Sequence, residues 1–187
     1  LPTAITMAAA NSELAHRCAA LFDDPGFRIY TSTDLAGVAL GGALKNVIAI
    51  AAGIAAGLNL GHSAMAALVT RGIAEISRLA VACGGRQKTL SGLSGLGDLV
   101  LTCTGELSRN RQMGIALASG MNIHDARAHV GQVVEGEKTA FAACKLAKQH
   151  GIEMPISETV RAVLMEQIKP AEAVAQLLSR PEKDEQE

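Results

Sequence analysis

Lys45 and Asn46 interrupt the apolar run LGGALKNVIAIAAG, Leu40 to Gly53. An amine among Ala, Ile, Leu, Val and Gly either snorkels its head to the surface or exchanges a proton with a bound ligand. Gly41 and Gly42 favour the second role. They lie one turn earlier, where each costs helix stability of about 1 kcal/mol, and where a missing side chain lets a ligand or another backbone come close. Asn46 adds a donor and an acceptor beside the amine.

Three further stretches carry groups of the same kind. In SGLGDLVLTCTG, Ser94 to Gly105, Asp98 stands among Gly, Leu and Val. It is either a helix cap or a carboxylate that needs a cation, and Thr102 shares its helical face. In ELSRNRQMGIAL, Ser108 can cap a helix whose first turn holds Arg109, Asn110 and Arg111. Arginine is electrostatically misplaced at a helix N-terminus unless the arginines lie on a solvated face or an anion binds there. Guanidinium, amide and free N–H groups together suit a phosphate or carboxylate. In GQVVEGEKTA, 131–140, Glu135 reads by itself as an ordinary helix-start acid.

Composition narrows the chemistry. The chain has 187 residues and is 49% apolar, enough for one good-sized buried core. A net charge of −1 and 2% aromatic residues supply neither the basic surface nor the stacking platforms of a nucleic-acid binder. Cys18, Cys83, Cys103 and Cys144 are scattered, as buried reduced thiols of a cytoplasmic protein would be. The histidines, at 16, 62, 124, 129 and 150, lack metal spacing, and no metal site is expected. Leu35 to Leu58 is long enough to span a bilayer and contains Gly53-x-x-x-Gly57. Lys45 at its middle would oppose insertion by about 3 kcal/mol, so the segment reads as a core helix and the chain as not transmembrane.

The elements follow from periodicity. Residues 1–33 read as strand, helix, strand, with Ser12 starting the helix and Pro25-Gly26 as a turn. Beyond them almost only helices are expected, with a glycine-punctuated stretch up to Gly105. Thr31 with Asp34 offers a capping pattern for a helix over 34–58 that is hydrophobic nearly all round. A second helix is expected over 63–83. Its Arg71, Glu75 and Arg78 have the spacing of helix-face ion pairs worth about 0.3 kcal/mol each. Helices are then expected over 109–119, after Asn122, up to Gly151, from an N-cap at Ser157, and with Pro170 in the first turn. The charged end, 181–187, reads as a frayed tail.

In their order, GVALGGALKNVIAIAAGIAAGLNLG, LVTRGIAEISRLA, GLGDLVLTCTGELSRNRQMG and GQVVEGEKTA resemble the C-terminal half of bacterial NAD(P)-dependent glycerol-3-phosphate dehydrogenase. The resemblance runs over essentially the whole chain, and LGGALKNV and GLGDL…SRNR are its most specific parts. It implies a mainly α, multi-helix domain like the 6-phosphogluconate dehydrogenase C-terminal domain over 34–180. A remnant of a Rossmann domain would precede it over 1–33. It implies Lys45 as the proton acceptor and donor, held by Asp98. The substrate ligands would be Lys45, Asp98, Ser108, Arg109 and Asn110, with Asn46 and Thr102 added by adjacency and facing. Arg109, Val133 and Glu135 would meet NAD or NADP. The implied reaction interconverts sn-glycerol 3-phosphate and dihydroxyacetone phosphate, supplying phospholipid synthesis, in a cytoplasmic homodimer. The family's G-x-G-x-x-G half is not in this chain. The chain alone is therefore expected to bind the cofactor weakly and not to turn over. Two rivals remain: another β-hydroxyacid-type dehydrogenase, and a non-enzymatic helical dimerisation module.

Overall fold

The computed structural model describes residues 2–22 and 25–181. Apart from Pro181, the charged tail lies outside the described residues, as do Asp23 and Asp24. The chain opens with β1 (Thr3–Ala8), α1 (Ser12–Ala19) and β2 (Phe27–Ser32). The two strands pair in parallel, from Thr3 opposite Phe27 to Ala8 opposite Ser32. A parallel pair needs a crossover, and α1 supplies it. The N-cap of α1 is Asn11 rather than Ser12, because the Asn11 carboxamide accepts from the Leu14 N–H and leaves Ser12 as the first helical residue.

The remainder is helical, as expected: α2 (Leu35–Gly57), α3 (Gly61–Ala82), α4 (Gln87–Leu90), a π-helical turn (Leu93–Gly97), α5 (Asp98–Thr104), α6 (Arg109–Ala118), α7 (Ile123–Val130), α8 (Glu135–His150), α9 (Pro155–Leu164) and α10 (Pro170–Leu178). The axis of the fold is α2, which packs against α3, α5, α6, α8 and α9. Val47, Ile48, Ala49, Ile50 and Ala52 have no exposed surface, so its uniform apolarity belongs to a helix enclosed by others. The Gly53-x-x-x-Gly57 spacing serves α6. A Cβ on Gly53 would overlap the carbonyl of Arg111, and one on Gly57 would press on Ala118. Gly114 of α6 reciprocates against the carbonyl of Ile50. Absent side chains thus bring the backbones of α2 and α6 into contact.

Several helix ends differ from the expected caps. Asp34 itself caps α2, accepting from the Gly37 N–H at 2.8 Å, so no Thr31–Asp34 box forms. Its other oxygen accepts from the Arg86 N–H at 2.8 Å. Burial raises its pKa, but the hydrogen bonds from Thr89, Gly37 and Arg86 and the Arg86 charge win, leaving the carboxyl below its usual range. The start of α9 is at Pro155, with Met154 as N-cap, which puts Ser157 inside the helix. The capping there is supplied from α3. Glu75, 1% exposed, accepts from the N–H groups of Ile156 at 2.5 Å and Ser157 at 3.2 Å and from the Ser157 hydroxyl at 3.1 Å. The ion-pair reading of Glu75 fails because its face of α3 is turned inward onto those donors.

Candidate active site

Gly41 lets the π-helical turn approach α2, since a Cβ there would stand 2.5 Å from the Ser94 carbonyl. The turn closes with the Gly97 N–H donating to the Gly92 carbonyl at 3.1 Å, five residues back. Asp98 follows at once as the first residue of α5. Its carboxylate caps nothing, because the turn leads directly into the helix, with Gly97 in helical geometry at the N-cap position. The carboxylate reaches Lys45 instead, with Nζ 2.5 Å from Oδ1. The side chains are 21% and 31% exposed, so the pair is partly withdrawn from water without being sealed. The Thr102 hydroxyl donates to the Asp98 carbonyl at 2.6 Å and lies 3.4 Å from Oδ1. Gly42 has nothing within 4 Å of where a Cβ would be, so the face of α2 shared with Lys45 and Asn46 opens onto free space.

Asn46 leads to a second cluster. Its Oδ1 accepts from Asn110 Nδ2 at 2.9 Å, and its Nδ2 donates to Glu135 Oε2 at 3.2 Å and, more weakly, to the Gly42 carbonyl at 3.5 Å. Asn110 Oδ1 accepts from the Gly136 N–H at 2.8 Å. Both asparagines are buried. Ser108 caps α6, its hydroxyl accepting from the Arg111 N–H at 3.3 Å. Arg109 Nη2 stands 3.7 Å from Glu135 Oε1, the side chains 42% and 60% exposed. Lys45, Asp98 and Thr102 therefore form one group and Asn46, Asn110, Arg109 and Glu135 another, joined by the peptide bond between residues 45 and 46. Val133, 70% exposed, precedes α8 and has no side-chain tie to either group.

One participant escaped the sequence reading. Gly136 is enclosed, and a Cβ there would lie 2.5 Å from the Asn46 carbonyl and 2.8 Å from Asn110 Oδ1. Its signal was a glycine between two acids in a helix's first turn, where nothing local requires one. Cys103, at the floor of α5, is fully buried, and burial drives its thiol up to about 12 against the pull of Arg111. It stays protonated and offers no nucleophile.

Residues 34–175 match the family described as NAD-dependent glycerol-3-phosphate dehydrogenase, C-terminus. The chain belongs to that family. It is 56% identical over 181 residues, 96% of its length, to a glycerol-3-phosphate dehydrogenase (NAD(P)+) of Koribacter versatilis, of which it covers 54%. A relative of the same name in Acidobacterium capsulatum is 52% identical over 98% of the chain, which covers 55% of it. The crystal structure of glycerol-3-phosphate dehydrogenase from Coxiella burnetii superposes with a TM-score of 0.92 at 46% identity, over 96% of this chain and 55% of that one. The chain thus spans about half the length of the relatives it matches.

Proposed function

We propose that this chain is the substrate-binding half of an NAD(P)-dependent dehydrogenase that interconverts sn-glycerol 3-phosphate and dihydroxyacetone phosphate. The observation that carries the reading is the 2.5 Å Lys45–Asp98 pair on a buried helix, one residue from the amide chain that leads to Arg109. Asp98 fixes the amine, and Thr102 steadies the turn that bears Asp98. In oxidation Lys45 Nζ takes the C2 hydroxyl proton as the C2–H bond gives up hydride. In the reverse direction the same nitrogen returns the proton to the ketone oxygen. Arg109, with the N-terminal N–H groups of α6, binds the phosphate, and Ser108 and Asn110 hold that helix end in place. A nicotinamide dinucleotide, when bound, accepts or supplies the hydride. Glu135 suits ribose hydroxyls, while Val133 stands exposed and Arg109 partly exposed near it.

On this reading residues 1–33 complete a dinucleotide-binding domain, 34–180 form the substrate domain, and the whole enzyme is a cytoplasmic homodimer. Leu101 and Leu107, 68% and 92% exposed, give apolar surface for such contacts. The test is Lys45→Ala in the enzyme with its dinucleotide-binding half present. The expected loss is about 10²–10⁴-fold in kcat, with the circular dichroism unchanged. Retention of more than about a tenth of kcat leaves Lys45 a purely structural residue. Arg109→Ala should chiefly raise KM for the phosphorylated substrate. An unchanged KM removes the phosphate assignment.

A further inference from the structure

Four groups outside the Lys45–Asp98 pair form a hydrogen-bond chain that begins and ends on the first turn of α8. It runs from the Gly136 N–H to Asn110 Oδ1, from Asn110 Nδ2 to Asn46 Oδ1, and from Asn46 Nδ2 to Glu135 Oε2. Its direction is fixed at both ends. A backbone N–H only donates and a carboxylate only accepts, so neither asparagine can flip without breaking a bond. The chain ties α8 to α6 and α6 to α2, and its amide members sit next to Arg109 and Lys45. Gly136 makes it possible, because any side chain there would strike the Asn46 carbonyl.

We propose that Glu135 acts on the substrate side of the site as a positioning residue. By terminating this chain it sets the turn of α2 that carries Lys45 against the turn of α6 that carries Arg109. The inference rests on the proposed function for its kinetic consequence and on geometry alone for its structural one. It differs from a cofactor contact in what it needs from residue 135, namely an acceptor for Asn46. Charge is secondary: the other carboxylate oxygen stands 3.7 Å from a partly exposed Arg109, a pairing that water and salt weaken.

Glu135→Gln and Glu135→Ala separate the part played by an acceptor from the part played by a charge, since both remove the charge and only glutamine keeps an acceptor. In the whole enzyme at saturating cofactor, kcat/KM for sn-glycerol 3-phosphate should be about tenfold or more lower in E135A than in E135Q, as expected of small displacements of reacting groups. Equal kcat/KM in the two variants overturns the proposal. A readout free of activity is side-chain amide exchange by NMR. The Asn46 carboxamide protons should be protected in wild type and E135Q and exchange faster in E135A. Identical protection in all three likewise overturns it. If the wild-type enzyme does not turn over sn-glycerol 3-phosphate, the proposed function fails, and the exchange experiment still decides the role of Glu135.

Discussion

Glu75 is a carboxylate with almost no access to water, at the N-terminus of a helix it does not belong to. Burial pushes its pKa up to about 7, although the N–H groups of Ile156 and Ser157, the Ser157 hydroxyl and the Arg78 charge all favour the anion. The ordinary value is 4.5. Between pH 4.5 and 7 the folded chain therefore holds a proton that the unfolded chain releases. The stability this contributes is complete below pH 4.5, declines as pH rises through 7, and changes no further above that. At 1.36 kcal/mol per unit, the full excursion is about 3 kcal/mol. Urea denaturation from pH 4.5 to 8 measures it, and Glu75→Gln supplies the control. Glutamine keeps a carbonyl for the helix end but cannot titrate, so E75Q should lose this part of the slope. If wild type and E75Q show the same pH dependence, Glu75 stays ionised in the fold and the burial argument is wrong.

The α2–α6 crossing yields a test with an unusual sign. Gly→Ala inside an exposed helix stabilises by about 1 kcal/mol, whereas Gly114→Ala should destabilise by about 3 kcal/mol in thermal or urea melts, because its Cβ would meet the backbone of Ile50 and Ile54. Stabilisation by G114A means that the crossing is looser than described. Gly42→Ala should do the reverse: it meets nothing within 4 Å, so stability should rise by up to about 1 kcal/mol, while KM for substrate rises because the methyl enters the open face beside Lys45. An unchanged KM places the substrate elsewhere.

Periodicity and punctuation made most of the architecture legible, but the glycine-punctuated stretch up to Gly105 hid α4, the π-helical turn and α5. Asn122 caps α7 as its type and place suggest, and Pro170 opens α10. The strand–helix–strand opening and the long apolar α2 were equally plain. What stayed hidden were roles that one element plays for another. Ser157 looks like a cap because serine before an acid usually is one, yet the donors of that helix end are met by Glu75, 81 residues away along the chain. Glu75 looks like a surface ion pair for the same reason: spacing reports neighbours on one helix and says nothing of the helix packed across from it. Lys45 stood out because charge in an apolar run is conspicuous, and Arg109 because arginine is electrostatically misplaced at a helix N-terminus. Gly136 did not, since a glycine chosen for close approach resembles one chosen for a turn until the approaching backbone is known.

The site depends on the same device as the fold. Asn46 can reach Asn110 only because α2 and α6 touch through glycine seven residues further along α2, at Gly53, and four residues further along α6, at Gly114. Each glycine weakens its own helix, and each shortens the distance between the two helices that carry Lys45 and Arg109. Larger residues at that crossing would lengthen the Asn46–Asn110 bond before they unfolded the chain, separating the amine on one helix from the guanidinium on the other. The relative placement of Lys45 and Arg109 is therefore set by packing a full turn or more away, at Gly53 and Gly114.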